Sequence, residues 1–222
     1  SRHIPVTFLV RETSFWNGVL PEGESELINR EIGEKGIDLR LNTNLKEIKT
    51  DENGQVRSIV TEEEGEEIPC TVVGLTAGVS PNVSYLKGSD ITTNRGILVN
   101  RYLETNLPDL YAIGDCAEQK EPIGQRRSVE AVWYTGRMMG ETVAQTICGN
   151  RTAYQPGPWF NSAKFFDIEY QTYGWVWAKP KENEARFYWE HTSGKKCIHL
   201  NFDKKSRMFI GINTFGIRLR HA

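Results

Sequence analysis

A predicted strand that stops on Gly114–Asp115 and is followed by a long apolar helical pattern constrains this chain more than any other feature. Gly96–Asn100 reads as a short strand, and Asp109–Ile113 as a second that ends abruptly at the Gly-Asp pair. Ser128–Cys148 then carries Val129, Val132, Trp133, Met139, Val143, Ala144 and Ile147 at helical spacing, with Gly149 as the stop. Glycine at a strand end allows close approach to a ligand, and one carboxylate accepts hydrogen bonds from hydroxyl groups. The amino end of a helix presents unpaired N–H groups and partial positive charge, which favours an anion or an anionic ring. The pattern therefore suits a polyhydroxylated chain joined to such a ring. The plainer reading of Asp115 is a turn or helix-cap carboxylate, and that of Trp133 is helix packing. Gly136 and Gly140 each cost the helix about 1 kcal/mol, so close packing against another backbone is their expected compensation.

Upstream, Ile4–Val10 reads as a strand, Glu24–Lys35 as a helix with Leu27, Ile28 and Ile32 on one face, and Ile37–Leu41 as a second strand. Leu45–Thr50 and Gln55–Thr61 flank Asn53–Gly54, a pair that accepts positive φ and so signals a hairpin. The charge run Glu62–Glu67 reads as a solvated turn before a buried strand over Ile68–Leu75. Pro156-Gly157-Pro158 marks a linker over Arg151–Pro158. Beyond it the composition shifts. Four of the six tryptophans fall between Trp159 and Trp189, and Phe165–Trp177, Ala185–His191, Lys196–Phe202 and Met208–Asn213 read as an antiparallel meander.

Composition narrows the partners. With 27 basic and 29 acidic side chains in 222 residues and a mean hydropathy of −0.50, the chain has an ordinary water-soluble composition. It lacks the clustered Lys and Arg that phosphate neutralisation requires, which argues against nucleic acid as partner. No apolar run is long enough to span a bilayer. The start Ser1-Arg2-His3-Ile4 carries no export pattern, and cytoplasmic residence is expected. Cys70, Cys116, Cys148 and Cys197 show neither Cys-x-x-Cys nor zinc spacing, so free thiols are expected. His191, Cys197 and His199 are too few to predict a metal site.

The stretch from Thr105 to Asp115 with its following helix resembles the second flavin-binding motif of the FAD-dependent pyridine nucleotide-disulfide oxidoreductase superfamily. Ala77–Asn82 resembles the loop preceding that motif, and Val6–Asn82 the second half of the inserted NAD(P)H-binding domain. The resemblance covers about two thirds of the chain. It implies an α/β fold: an incomplete Rossmann-like FAD/NAD(P)-binding portion over residues 1–150, followed by a small carboxyl-terminal antiparallel domain over 151–222. Within the first portion, residues 1–82 would be the remainder of the NAD(P) domain and 83–150 the return into the FAD domain.

The resemblance also implies roles. Asp115 would bind the ribitol of FAD, Gly114 would permit close approach, and Glu130, Ala131 and Val132 would face the pyrimidine edge of the ring. Gly78 would lie in the preceding loop. NAD(P)H would be the reductant, with Val10, Arg11 and Glu12 at the position that distinguishes the coenzymes and the preference left open. No Gly-x-Gly-x-x-Gly occurs, although the family carries two, so the chain reads as a carboxyl-terminal fragment that holds neither cofactor tightly alone. The visible nicotinamide portion has only Cys70, which favours electron transfer to a protein or small acceptor, as in ferredoxin, rubredoxin or nitrite reductases, over disulfide reduction. A homodimer is possible on this reading. The rival readings are a flavin-binding assembly or electron-transfer subunit without nicotinamide turnover, and a cofactor-free interaction module built on the aromatic carboxyl-terminal part.

Overall fold

The computed structural model describes residues 4–63 and 65–219. Packing divides them into two compact units: residues up to Thr76 group with those from Ser162 onward, and Ala77–Asn161 form the second unit.

In the first unit, β1 (Thr7–Val10) and β2 (Asp38–Leu41) pair in parallel, and α1 (Glu22–Glu34) runs between them. Helix α1 forms because Leu27, Ile28 and Ile32 repeat at helical spacing and all three are fully buried. Glu22 and Glu24 lie in its first turn, where negative charge is favourable. The hairpin of β3 (Leu45–Thr50) and β4 (Val56–Thr61) turns where Asn53–Gly54 places it. Gly54 takes φ +77°, and Asp51 Oδ1 accepts the backbone N–H groups of Asn53 and Gln55 at 2.9 Å. Glu64, within the charge run after this hairpin, lies outside the described residues.

The buried strand expected over Ile68–Leu75 is not formed. Only β5 (Glu67–Pro69) pairs with β4, and its last rung is Ser58 with Pro69. No described strand lies alongside the residues that follow, and Val72 and Leu75 are 82% and 73% exposed.

The carboxyl-terminal residues form a five-stranded sheet in the order β10-β11-β12-β9-β8, from β8 (Phe160–Phe165), β9 (Ile168–Gly174), β10 (Glu184–Glu190), β11 (Cys197–Asp203) and β12 (Phe209–Phe215). Two expectations are corrected here. The segment expected as one strand over Phe165–Trp177 breaks at Phe166, which takes φ +54° and turns the chain from β8 into β9. The sheet is also not a simple meander, because β9 pairs with β12 antiparallel through Gln171–Thr214 and its neighbours. One sheet face packs on α1, where Leu27, Ile28 and Ile32 meet Ile168, Tyr170, Cys197 and Phe215. Around this core, Lys195 pairs with Glu31 and Glu34, Lys35 with Asp167, and Arg30 with Glu190.

Beside the apolar part of this interface lies a buried polar cluster. Glu24 Oε2 accepts the side-chain N–H of Asn213 at 2.8 Å, and Glu24 Oε1 lies 3.1 Å from His199 Nδ1 without hydrogen-bond alignment. Glu184 accepts from Asn201 at 3.1 Å in the same layer. Burial, reinforced by the Glu24 carboxylate, pushes the Cys197 thiol up to about 12. A thiolate-directed reagent in mildly alkaline buffer should therefore label exposed Cys148 in the native protein and leave Cys197 unlabelled until unfolding, as peptide mass spectrometry would show.

In the second unit, β6 (Ile97–Val99) and β7 (Ala117–Gln119) pair in parallel, and α2 (Trp133–Ile147) contributes Met139 and Val143 to a core with Val99, Leu103 and Ala117. The strand expected over Asp109–Ile113 reduces to a single bridge between Tyr111 and Glu104. Residues 151–158, expected as a linker, are anchored by Tyr154, which is 2% exposed and whose N–H donates to the Arg101 carbonyl. No described helix is long and apolar enough to cross a membrane.

Candidate cofactor site

The Gly-Asp pair occupies a tight bend. Gly114, Asp115 and Cys116 form one 3-10 turn between Ile113 and β7, with Gly114 at φ +75°, a conformation that a side chain would strain. Nothing lies within 4 Å of where a Gly114 Cβ would project. Asp115 is exposed, and its carboxylate has no partner among the described residues. Cys116 sits beneath the turn with Sγ 3.5 Å from the Ile113 carbonyl, which fits a small residue accommodated by the bend.

Helix α2 is brought onto this turn by its glycines. A Cβ on Gly136 would stand 3.4 Å from the Gly114 Cα, and one on Gly140 would stand 3.7 Å from Ile113 Cδ1. The expected backbone approach is thus seen at Gly136, against the Gly-Asp turn itself, while Gly140 meets the Ile113 side chain at ordinary contact distance. The Gly136 approach sets the first turn of α2 against the Gly114 backbone, one residue before Asp115.

The helix begins at Trp133, five residues later than the periodicity predicts. The Ser128 carbonyl is engaged by the N–H of Gln119 on β7 at 2.9 Å, and Val132 has extended dihedrals, so residues 128–132 lead into the helix without belonging to it. No side chain caps α2. The first-turn N–H groups of any helix lack intrahelical partners, so this end retains anion-favouring character. Trp133 is 67% exposed, with the Arg137 guanidinium 5.7 Å from its ring centroid. Helix packing therefore does not explain its place in the sequence.

The six residues expected at the site fall into three groups. Gly114 and Asp115 share the turn against α2. Ala131 is exposed and Val132 half-buried in the segment leading into that helix. Glu130, in the same segment, turns its carboxylate to Arg126 at 2.8 Å, with both side chains under 10% exposed. Gly78 stands in an exposed loop at φ +95°, with nothing within 4 Å of its Cβ position. At the end of β1, Arg11 donates to Glu12 at 2.6 Å. That bond holds the Glu12 carboxyl below the usual carboxylate range and the Arg11 guanidinium above its own, so neither charge is presented alone. Arg126 and Trp159 were not anticipated. The i,i+4 spacing of Arg126 and Glu130 was the available signal, but the helix expected from Ser128 left Arg126 outside it, so the spacing carried no weight.

An exposed, unpartnered carboxylate beside an open glycine and a helix end suits hydroxyl groups of a ligand with an electron-rich ring. These residues fit the ribityl portion of a flavin. Among the described residues no group of three or more His, Cys, Asp or Glu is placed to hold a metal ion.

Comparison with known proteins bears on this geometry. The family described as pyridine nucleotide-disulphide oxidoreductase matches residues 3–144. The rubredoxin-NAD(+) reductase of Acinetobacter baylyi is 37% identical over 100 residues, which is 45% of this chain and 25% of that protein. The ferredoxin reductase subunit of 5,5'-dehydrodivanillate O-demethylase from Sphingobium sp. is 34% identical over 141 residues, 63% of this chain and 34% of its own length. Among solved structures, a ferredoxin reductase of Rhodopseudomonas palustris superposes with a TM-score of 0.82 at 19% identity, covering 97% of this chain and 51% of that one. The covalent putidaredoxin reductase–putidaredoxin complex gives 0.79 at 17% identity, covering 96% and 49%. At such identities the superpositions establish the shared mixed α/β fold. The chain spans from a quarter to about half of the length of these relatives.

Proposed function

We propose, from the premise that this chain belongs to the pyridine nucleotide-disulphide oxidoreductase family, that it is the carboxyl-terminal part of a flavoprotein reductase in which NAD(P)H reduces FAD and electrons pass on to an acceptor. The observation that carries the reading is the approach of Gly136 to Gly114, which sets the first turn of α2 against the Gly114–Asp115 bend, where the exposed Asp115 carboxylate has no partner among the described residues. When bound, FAD supplies a two-electron acceptor that can pass on its electrons.

The residues of this chain bind and orient. Asp115 accepts hydrogen bonds from ribityl hydroxyls, Gly114 lets the chain approach, and residues 130–132 with the amino end of α2 favour negative charge at the pyrimidine edge of the ring. Gly78 belongs to the loop that leads from the NAD(P)-domain remainder into this segment. No side chain acts as a nucleophile. Residues 1–82 are the remainder of the NAD(P) domain, 83–150 the return segment of the FAD domain, and 151–222 belong to a small carboxyl-terminal β-rich domain. The complete polypeptide carries the activity; the 222-residue chain alone is inactive and binds cofactor weakly, because the Gly-x-Gly-x-x-Gly turns that cradle pyrophosphate are not in it.

The acceptor is a small redox protein. The similarity to rubredoxin and ferredoxin reductases supports this choice, as does the lack of a Cys-x-x-Cys anywhere in the sequence. Cytoplasmic residence follows on the same reading.

Anaerobic mixing of the complete, flavin-loaded polypeptide with NADH and, separately, NADPH tests the proposal. Bleaching of the flavin absorbance within the mixing experiment is expected with at least one coenzyme, and the faster one reports the preference that the paired Arg11 and Glu12 leave open. Flavin that stays oxidised with both would favour an assembly or electron-transfer subunit without nicotinamide turnover. Tight FAD binding by the 222-residue chain alone would contradict the assignment of weak binding to it.

A further inference from the structure

Arg126 is 8% exposed and makes contacts on three sides. Its Nη1 donates to Glu130 Oε2 at 2.8 Å. Its Nη2 is shared among the carbonyls of Pro156, Gly157 and Pro158 at 3.4, 3.2 and 3.2 Å. Its guanidinium lies 5.3 Å from the centre of the Trp159 ring. On the far side of the pair, Thr135 Oγ1, in the first turn of α2, donates to the same Glu130 oxygen at 3.2 Å. The planar five-donor fork of arginine makes this combination of carboxylate, carbonyls and aromatic face possible, and lysine would reproduce only the charge.

The pair therefore ties together the segment entering α2, the first turn of that helix and the 156–159 loop. Among the described residues each of the two charges has the other as its ion-pair partner, and both side chains are under 10% exposed, so solvent screens the pair weakly. Gly136 holds the same helix turn on Gly114.

Resting on the flavin reading above, we propose that Arg126 and Glu130 are positioning residues for the cofactor. Their ion pair fixes residues 128–132 beside the Gly114–Asp115 turn, and its neutrality sets the local charge at the pyrimidine edge of the ring. The consequence has a sign. Removing the Glu130 charge leaves an uncompensated guanidinium, which favours the added negative charge of the reduced ring and raises the flavin midpoint potential. Removing the Arg126 charge leaves an uncompensated carboxylate and lowers it. Neutralising both restores a value near the original.

The test uses the complete flavin-loaded polypeptide, with midpoint potentials measured for Glu130→Gln, Arg126→Gln and the double variant, and FAD dissociation measured for Arg126→Lys. Opposite shifts in the two single variants, cancelling in the double, are expected. Arg126→Lys keeps the potential but releases FAD several-fold faster, because the contacts to the 156–158 carbonyls are lost. Single variants that shift the potential in the same direction, or not at all, overturn the proposal, since a purely structural pair would affect stability without that signature. Asp115→Ala, run alongside, separates the two readings. If it abolishes flavin retention while the Arg126 and Glu130 variants leave the potential unmoved, the positioning role fails and the flavin site stands. If it leaves retention untouched, the flavin site itself is wrong.

Discussion

Asp115→Ala should weaken FAD binding to the complete polypeptide by about 100-fold while leaving its unfolding midpoint unchanged. A hydrogen bond to a charged group contributes about 1.5–3 kcal/mol, and each 1.4 kcal/mol is roughly tenfold in affinity. One or two ribityl hydroxyls on this carboxylate therefore correspond to a loss on the order of 100-fold. Stability should not change, because the Asp115 side chain is exposed and no described residue leans on it. Asp115→Asn keeps an acceptor without the charge and should fall between the two. Titrating deflavinated protein with FAD and following the fluorescence change checks all three. Equal affinity in the alanine variant would return Asp115 to the plainer role of a turn carboxylate.

Glu24→Ala should destabilise the unit containing α1 and the five-stranded sheet by about 2–3 kcal/mol, the cost of leaving buried polar partners without their acceptor. Glu24 is fully buried at the start of α1. It is the acceptor for Asn213, on β12, and stands against His199, on β11, both at most 5% exposed. Its loss leaves an amide and an imidazole in the interior with no carboxylate to meet them. Replacing all three by leucine should recover most of the stability, since an apolar substitute removes the groups that would be left unpaired. Urea unfolding of the single and triple variants distinguishes the cases. A single variant within about 1 kcal/mol of the parent would show that the cluster is solvated or dispensable.

The two units differ in how far the sequence foretold them. Local signals carried well. The Asn53–Gly54 turn, the apolar stripe of α1 and the paired glycines of α2 each depend on residues within a few positions of one another, and each appears where expected. Features that depend on distant partners did not carry. The run after Pro69 has strand composition, yet it has no neighbour to pair with among the described residues and lies exposed. The late start of α2 follows from hydrogen bonds to β7 and to Arg126, which periodicity does not encode. In β11 and β12 the buried face carries His199, Asn201 and Asn213 while Ile198, Leu200 and Ile212 lie on the other, an arrangement that alternation alone does not foretell and that depends on Glu24 and Glu184 arriving from elsewhere in the chain. At the candidate site, Gly114 and Asp115 were singled out because a Gly-Asp pair ahead of an apolar helical pattern is a local signal, although the strand expected before them reduces to one bridge. Arg126 was not, because its meaning comes from Trp159 and three carbonyls about thirty residues away.

Determining the structure of the complete polypeptide with its flavin bound examines the central claim at the atom concerned. A ribityl hydroxyl should stand about 2.5–3.0 Å from the Asp115 carboxylate, with the ring's pyrimidine edge toward the segment entering α2. A flavin seated elsewhere, with Asp115 still facing solvent, would contradict it.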